Sequence, residues 1–106
     1  MTSLESGILN ELKAKVQQRL PLSCLVLFGS RARGDADPDS DLDVLVVLNT
    51  PVDREAEDYV NDCAWEAGLE HGIVVVPVTV SRLDWDEGLL SSSLLAIAVR
   101  REGIAV

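Results

Sequence analysis

The sequence predicts a small α/β (α+β) domain in which helices flank one mixed β-sheet. Two observations carry this prediction: three short apolar runs bounded by glycine, proline or asparagine, and amphipathic helical patterns between them. A chain of 106 residues has room for one hydrophobic core but not for two. Residues 1–106 are therefore expected to form a single domain.

The N-terminal segment is predicted to be a helix followed by a buried strand. Between Leu4 and Leu20 apolar residues recur at helical spacing, and Pro21 ends the pattern. Residues 23–28, SCLVLF, are typical of a buried strand, which Gly29 closes.

The next segment is predicted to turn and return as a second strand. A short helical turn covers Ser30 to Arg33, and a polar loop follows as far as Ser40. Residues 41–48, DLDVLVVL, form the strand, which Asn49, Thr50 and Pro51 stop.

A central helix and a third strand follow. The helix begins at Asp53, and Gly68 and Gly72 mark its end. Residues 73–80, IVVVPVTV, predict a strand in which Pro77 indicates a bulge or a sheet edge. The helix positions expected to face inward are Ala56, Tyr59, Val60, Cys63, Ala64 and Ala67.

The C-terminal segment is predicted to add a turn, a helix and a short strand. Ser81 caps the turn with Asp84 three residues later, residues 89–101 form the helix, and residues 104–106 form the strand. This helix is apolar over much of its circumference, which fits either core burial or a surface that meets a partner. The residues concerned are Leu89, Leu90, Leu94, Leu95, Ala98 and Val99.

Composition excludes several classes of function. A net charge of −9 opposes direct binding to nucleic acid, and the apolar runs are too short to cross a membrane. Without a cleavable leader, the chain is expected to be cytoplasmic. Cys24, Cys63, Trp65 and Trp85 are interpreted as packing residues with reduced thiols, and His71 as a solvated turn residue.

Five aspartates alternate from Asp35 to Asp43, a spacing that suggests a calcium-binding loop. A helix–loop–helix calcium loop needs glycine at its sixth position and glutamate at its twelfth. Counted from Asp35 these positions are Ser40 and Val46, so the calcium interpretation fails. The first three aspartates, among Gly34, Pro38 and other turn residues, are expected to be solvated.

Asp41 and Asp43 differ because they belong to a strand. With a period of two they project from one face, roughly 6 to 7 Å apart at the backbone. Two neighbouring carboxylates beside a core repel each other and lose solvation, and a divalent cation offsets both costs. Oxygen ligands favour Mg²⁺, with Mn²⁺ as the alternative.

A phosphate-binding bend is predicted just upstream of these carboxylates. Gly29 allows close approach of a ligand to the backbone, and Ser30 adds a hydroxyl at a helix start. Arg31 and Arg33 fall in the same turn and are expected to neutralise phosphate charge. Bend and carboxylates would then face one cleft.

These motifs together resemble the signature of the DNA polymerase β-like nucleotidyltransferase superfamily. The match comprises Gly29-Ser30, Arg33-Gly34, Ser40 and the Asp41-x-Asp43 pair. Chain length and element order are similar to its minimal branch, the MNT proteins often paired with HEPN partners in toxin–antitoxin modules. The resemblance implies a nucleotidyltransferase-like fold, nucleotide phosphates bound by Gly29 and Ser30, and catalytic, metal-binding roles for Asp41 and Asp43. With Arg31, Arg33 and Ser40 added, these residues form the predicted nucleotide-binding set.

The resemblance also exposes a missing group. The family has a third carboxylate on the strand after the central helix, commonly the general base. Alignment on Pro77 places Val74 there, and no acid occurs between Ile73 and Ser81. Glu70, just before the strand, is the nearest acidic alternative. Loss of a positioned base costs about 10² to 10⁴ in rate, so reduced activity is expected.

Two functions follow from the resemblance. The first is Mg²⁺-dependent transfer of AMP from ATP to a hydroxyl of a HEPN-type protein partner, with a small-molecule acceptor as a further option. The second is a non-catalytic antitoxin or nucleotide-binding module that neutralises such a partner. The chain contains no separate acceptor domain, so a second subunit, a partner or another copy, is expected to complete the cleft.

Overall fold

The computed structural model describes residues 1–88 and 93–106, which form a four-stranded mixed sheet with helices on both faces. The predicted fold class is confirmed. The elements are α1 (Ser3–Gln17), β1 (Leu22–Phe28), α2 (Ser30–Arg33), β2 (Leu42–Leu48), α3 (Arg54–Leu69), β3 (Val75–Ser81), α4 (Arg82–Glu87), α5 (Leu94–Glu102) and β4 (Ile104–Ala105).

The strands follow the order β3-β2-β1-β4. β2 pairs parallel with β3 and antiparallel with β1, and β4 is antiparallel to β1. β3 therefore lies at an edge, which agrees with the position predicted from Pro77, since a residue without an N–H is tolerated there.

The two faces of the sheet carry different layers because side chains alternate along each strand. One face packs against α1 and α3 and contains the larger core, to which β2 contributes Leu42, Val44, Val46 and Leu48. The other face carries a smaller cluster around Leu45, Val47, Val80 and Val99. Asp43 has the parity of Leu45 and Val47, so it lies on this second face.

The helix ends are set by local hydrogen bonds. α1 begins with a capping box in which the Thr2 hydroxyl accepts from the Glu5 N–H, at 3.1 Å, and a Glu5 carboxylate oxygen accepts from the Thr2 N–H, at 2.8 Å. Asp53 caps α3, and Ser81 caps α4 as the sequence predicted.

Several predictions about these elements need correction. α1 ends at Gln17 rather than Leu20, because the N–H groups of Gln18 and Arg19 bond carbonyls three residues earlier, those of Lys15 and Val16, and the α-helical pattern stops there. Leu4 is exposed, and Trp65, expected to pack inside, is 65% exposed because its position on α3 points away from the core. The last described helix begins at Leu94 with Ser93 as its cap. Leu89 and Leu90, assigned to this helix from the sequence, lie outside the described residues.

The other packing predictions hold. Of the α3 positions expected to face inward, all are buried except Tyr59, which is half-buried and donates its hydroxyl to the Lys15 carbonyl at 2.5 Å. Cys24 and Cys63 are free thiols. Among the described residues, no helix combines the length and apolar character that a membrane span requires.

Candidate active site

The site is built where β1 turns into α2, beside the first residues of β2. Gly29 forms the bend with φ of 77°, a left-handed backbone that suits glycine. The Gly29 carbonyl then accepts from the N–H groups of Ala32 and Arg33, each at 3.1 Å, which starts α2. Gly34, with φ of 80°, ends this short helix.

Gly29 lies in direct contact with Asp43. Phe28, the residue before the bend, is the cross-strand neighbour of Asp43, so the antiparallel pairing of β1 and β2 brings the two together. A Cβ at Gly29 would overlap the Asp43 Oδ2 atom and lie only 3.2 Å from its Cγ. The absent side chain is what lets the carboxylate approach the bend.

Asp41 and Asp43 interact electrostatically in this position. Burial raises the pKa of Asp43, the negative charge of Asp41 raises it further, and the Arg33 guanidinium acts in the opposite direction. Asp41 is exposed and Asp43 half-buried. The structure thus brings together the two carboxylates and the bend that the sequence placed in one cleft.

The donor set suits a divalent cation that prefers oxygen. Two carboxylates adjoin a backbone bend at which only glycine fits, because the Asp43 carboxylate occupies the space that a Cβ would need. An ion such as Mg²⁺ held by two carboxylates keeps further coordination positions, which phosphate oxygens can fill. Within residues 1–88 and 93–106, no group of three or more His, Cys, Asp or Glu side chains converges on a metal position. Among these described residues, Asp41 and Asp43 are the pair that would hold such an ion.

Arg31 has a different position from the one expected for a phosphate ligand. It is buried, and its guanidinium donates to the Pro38 carbonyl at 2.9 Å, the Ser40 carbonyl at 2.9 Å and the Glu5 carboxylate at 3.2 Å. All three guanidinium nitrogens thus have acceptors within the protein. Arg31 fixes the conformation of the loop at Pro38 and Ser40, just before Asp41, instead of facing the cleft.

Arg33 is exposed but also paired. Its guanidinium lies 3.0 Å from Glu102 and 3.3 Å from Asp35, and these hydrogen bonds raise its pKa. The positive charge of Arg33 still acts to lower the pKa of Asp43, so Arg33 influences the carboxylate pair electrostatically.

Ser30 and Ser40 form hydrogen bonds at the site through their backbone carbonyls. The Ser30 carbonyl accepts from the N–H groups of Gly34 and Asp35, at 3.1 and 3.2 Å, and the Ser40 carbonyl accepts from Arg31. Both residues are half-buried beside the carboxylates.

The position of the third carboxylate is filled by valine. In the parallel pairing of β2 and β3, Val76 is the neighbour of Asp43, and the Val74 carbonyl accepts from the Leu42 N–H at 2.9 Å. Val74 and Val76 share the face of Asp43 and are 55% and 37% exposed. Glu70 instead caps α3, in the layer that packs against the opposite face. Glu70 therefore does not supply a third carboxylate beside Asp41 and Asp43.

The sequence did not indicate the roles of Glu5 and Glu102, whose carboxylates pair with Arg31 and Arg33. The Thr2-x-x-Glu5 spacing was a readable signal for a helix cap. No local pattern indicated that the second oxygen of Glu5 would meet Arg31, 26 positions later.

Comparisons with known proteins identify the family to which this chain belongs. A family model described as "Nucleotidyltransferase domain" matches residues 9–95. "Putative protein adenylyltransferase MJ0604" of Methanocaldococcus jannaschii is 36% identical over 72 residues, which cover 68% of this chain and 65% of that protein. "Probable protein adenylyltransferase MntA" of Haemophilus influenzae is 33% identical over 82 residues, 77% of this chain and 66% of that protein. The matched region thus spans just under two thirds of each relative.

Solved structures share the fold at lower identity. A crystal structure of a toxin-antitoxin with AMP-PNP superposes with a TM-score of 0.63 at 21% identity, over 95% of this chain and 70% of that one. The complex of a tri-AMPylated Shewanella oneidensis HEPN toxin with an MNT antitoxin gives a TM-score of 0.58 at 21% identity, over 96% and 67% of the two chains. The family match covers most of the chain, and the fold and the glycine–carboxylate contact are consistent with it. The chain therefore belongs to the nucleotidyltransferase domain family.

Proposed function

We propose that this chain transfers AMP from ATP to a hydroxyl of a protein partner, in a reaction that requires Mg²⁺ and that Mn²⁺ also supports. The observation that carries the proposal is the pair Asp41 and Asp43 set against the Gly29–Ser30 bend. The relatives named as protein adenylyltransferases support AMP as the transferred group and a protein as the acceptor.

The reaction is a displacement at the α-phosphorus. The acceptor oxygen forms a bond to that phosphorus, the bond to the bridging oxygen of the β-phosphate breaks, and pyrophosphate leaves. Bound Mg²⁺ supplies charge neutralisation for the phosphates. Asp41 and Asp43 hold the ion, and the Gly29–Ser30 bend positions the phosphates with Ser40 beside it.

The acceptor proton has no third carboxylate to receive it in the described part of the chain. It passes to water, or to a carboxylate that the partner supplies. A tyrosine acceptor, with an ordinary pKa of about 10, releases its proton more easily than an aliphatic hydroxyl does. The proposed reaction is therefore slow AMP transfer to a tyrosine hydroxyl of the partner.

The test is labelling of a HEPN-type acceptor by ATP radioactive at the α-phosphate. We expect Mg²⁺-dependent label on the acceptor with the wild-type chain and none with Asp41→Asn plus Asp43→Asn. Asp37→Asn plus Asp39→Asn is the matched control, since both residues are exposed in the same loop, and should label normally. Equal labelling by wild type and the first variant would defeat the proposal.

A second function is a non-catalytic antitoxin that acts by binding. It is favoured by valine at position 76 beside Asp43 and at position 74, where the family has its third carboxylate, and by the fold shared with an MNT antitoxin seen in complex with its HEPN toxin. This function predicts that the chain retains a HEPN-type partner and that Asp41→Asn plus Asp43→Asn leaves this binding unchanged. Under either function we place the chain in the cytoplasm, as a single nucleotidyltransferase domain that works with a second subunit and without direct contact to nucleic acid.

A further inference from the structure

Four large apolar side chains are exposed around β3, the edge strand nearest to the carboxylates. Trp65 and Leu69 on α3 are 65% and 60% exposed, and Val74 and Val76 at the start of β3 are 55% and 37% exposed. We call these four residues the acceptor edge. A groove of about 350 Å³ runs between α3 and this end of β3 and is lined by the first three of them. Such clustering of apolar surface marks a binding surface more often than single exposed residues do.

Val76 of the acceptor edge lies on the opposite side of Asp43 from the phosphate bend. β2 carries Asp43, with Phe28 of β1 as its neighbour on one side and Val76 of β3 on the other. The bend at Gly29 follows Phe28 directly. In a phosphoryl displacement the attacking and leaving oxygens stand roughly in line on opposite sides of the phosphorus. With the leaving phosphates on the β1 side, the acceptor has to approach over the β3 side.

The backbone of β3 can receive an extended segment there. Val74 directs its carbonyl to Leu42 of β2, so in a parallel pairing Val75, Pro77 and Thr79 direct their backbone groups outward. In the described part of the chain, β3 ends the strand order, and no strand pairs with this outer side. Pro77 lacks an N–H, which limits any added strand to a few hydrogen bonds and leaves side-chain contacts to supply specificity.

The charge around the acceptor edge defines the chemistry of its occupant. Residues 55–81 contain no lysine or arginine, and on α3 Asp62 precedes Trp65 by three positions, so the two share one side of the helix. On the other side of the edge, Val76 is the direct neighbour of Asp43. An apolar strip with acidic borders on both sides complements a segment with apolar side chains and flanking lysine or arginine.

We propose that the acceptor edge is the docking surface for the protein acceptor, which binds as an extended, basic segment along β3 and presents its hydroxyl to Asp43. This inference rests on the proposed function and adds to it the place and the chemistry of acceptor recognition. A side chain at the level of Val76 in such a segment lies on the same sheet face as Asp43, two strand spacings or about 9 to 10 Å away at the backbone. A long side chain is therefore needed to bridge that distance.

Trp65 provides a direct test of docking that does not require catalysis. Trp85→Phe leaves Trp65 as the single tryptophan, since the chain has two. The probe is a synthetic peptide with one central tyrosine, alternating valines and lysine-rich ends, and the control peptide has glutamate in place of lysine. We expect the first peptide to shift Trp65 emission to shorter wavelength with saturation, and the second to leave it unchanged. Absence of a saturable response to the lysine peptide would overturn the inference.

A matched pair of variants tests whether the edge matters for transfer. Leu69→Ser removes an apolar side chain from the acceptor edge, and Leu83→Ser removes one of similar exposure, 68%, from α4. We expect Leu69→Ser to lower AMP transfer to the lysine peptide by at least about tenfold, with unchanged affinity for ATP and unchanged Tm. Leu83→Ser should leave all three unchanged. Equal transfer by the two variants would overturn the inference.

Two further outcomes separate this inference from the proposed function. If the chain does not bind ATP but the lysine peptide still shifts Trp65 emission, the proposed function fails and the docking surface stands. If light scattering shows a dimer that Leu69→Ser dissociates, the edge is covered by a second copy and the inference is overturned.

Discussion

Arg31 and Glu5 form a buried ion pair, with Nη1 of the guanidinium 3.2 Å from Oε2 of the carboxylate and both side chains about 95% shielded from solvent. The pair joins the first turn of α1 to the loop that ends in Asp41. Because the other guanidinium nitrogens bond the Pro38 and Ser40 carbonyls, one side chain fixes the path of that loop. The conformation of the acid pair thus depends on the N-terminus of the chain.

Removal of Arg31 should destabilise the fold strongly. Arg31→Met leaves the Glu5 carboxylate and two carbonyls without their donor, and loss of one partner of a buried pair costs about 3 to 5 kcal/mol. Urea denaturation measures the free energy of unfolding. Arg33→Met, at an exposed arginine of the same turn, is the control and should cost much less. Equal losses would show that the buried pair has no special role.

Glu5 should make stability depend on acidity. Burial alone would raise the pKa of Glu5, but hydrogen bonds from Thr2 and Arg31 together with the Arg31 charge outweigh burial and lower it below its ordinary value of 4.5. The unfolded chain then binds more protons than the folded one between the two pKa values, so stability rises with pH across that window. The contribution is fully present above pH 4.5 and is lost as pH falls through the folded pKa.

Urea midpoints as a function of pH check this expectation. Wild type should lose stability with acid more steeply than Glu5→Gln, which has no charge to lose at this position. Glu11→Gln, on the same helix, should follow the wild-type slope. Parallel curves for wild type and Glu5→Gln would contradict the assignment.

The contrast between Asp43 and Arg31 shows what the sequence could predict. The face of Asp43 followed from strand alternation alone, because a buried strand admits only one register of inward residues. The contact of Asp43 with Gly29 followed from the bend between adjacent strands. The role of Arg31 could not be predicted, because its partner Glu5 is distant in sequence and only the packing of α1 brings it near. For the same reason Trp65 was misplaced, since local periodicity does not reveal which tryptophan the core accepts.

Gly29→Ala should abolish nucleotide binding. The new Cβ would overlap the Asp43 carboxylate, and the left-handed backbone would be strained as well. Gly34→Ala is a matched control, since φ there is 80° but a Cβ meets open space. It should lose about 1 to 2 kcal/mol of stability, the cost of a left-handed backbone for a residue with a Cβ, and retain affinity for Mg²⁺ and ATP. Calorimetric titration with ATP in the presence of Mg²⁺ distinguishes the two, and normal affinity in Gly29→Ala would exclude the bend from the site.

Asp43→Asn should stabilise the metal-free protein at neutral pH. Burial and the Asp41 charge raise the pKa of Asp43, so in the window above its unfolded pKa the folded chain binds more protons and stability falls as pH rises. The amide removes this penalty, and it also removes a metal ligand. We expect a higher Tm than wild type without Mg²⁺ and a smaller increase when Mg²⁺ is added. Asp39→Asn, exposed and outside the pair, should behave as wild type in both conditions. A Tm below wild type without Mg²⁺ would refute the electrostatic account.

Val76→Asp should increase AMP transfer by adding a third carboxylate beside Asp43, two residues after Val74, the position that the family alignment gives. Val76 is the parallel-strand neighbour of Asp43, shares its face and is exposed enough to accept a charge. A positioned base contributes about 10² to 10⁴ in rate, so we expect a gain of at least about tenfold in the rate of AMP transfer to a tyrosine peptide. Val76→Asn is the control, because it loses the same apolar contact without adding a base. Without Mg²⁺ the third negative charge should lower the Tm of Val76→Asp below that of Val76→Asn, and Mg²⁺ should close the gap. Equal transfer rates for the two variants would mean that the missing acid does not limit the reaction.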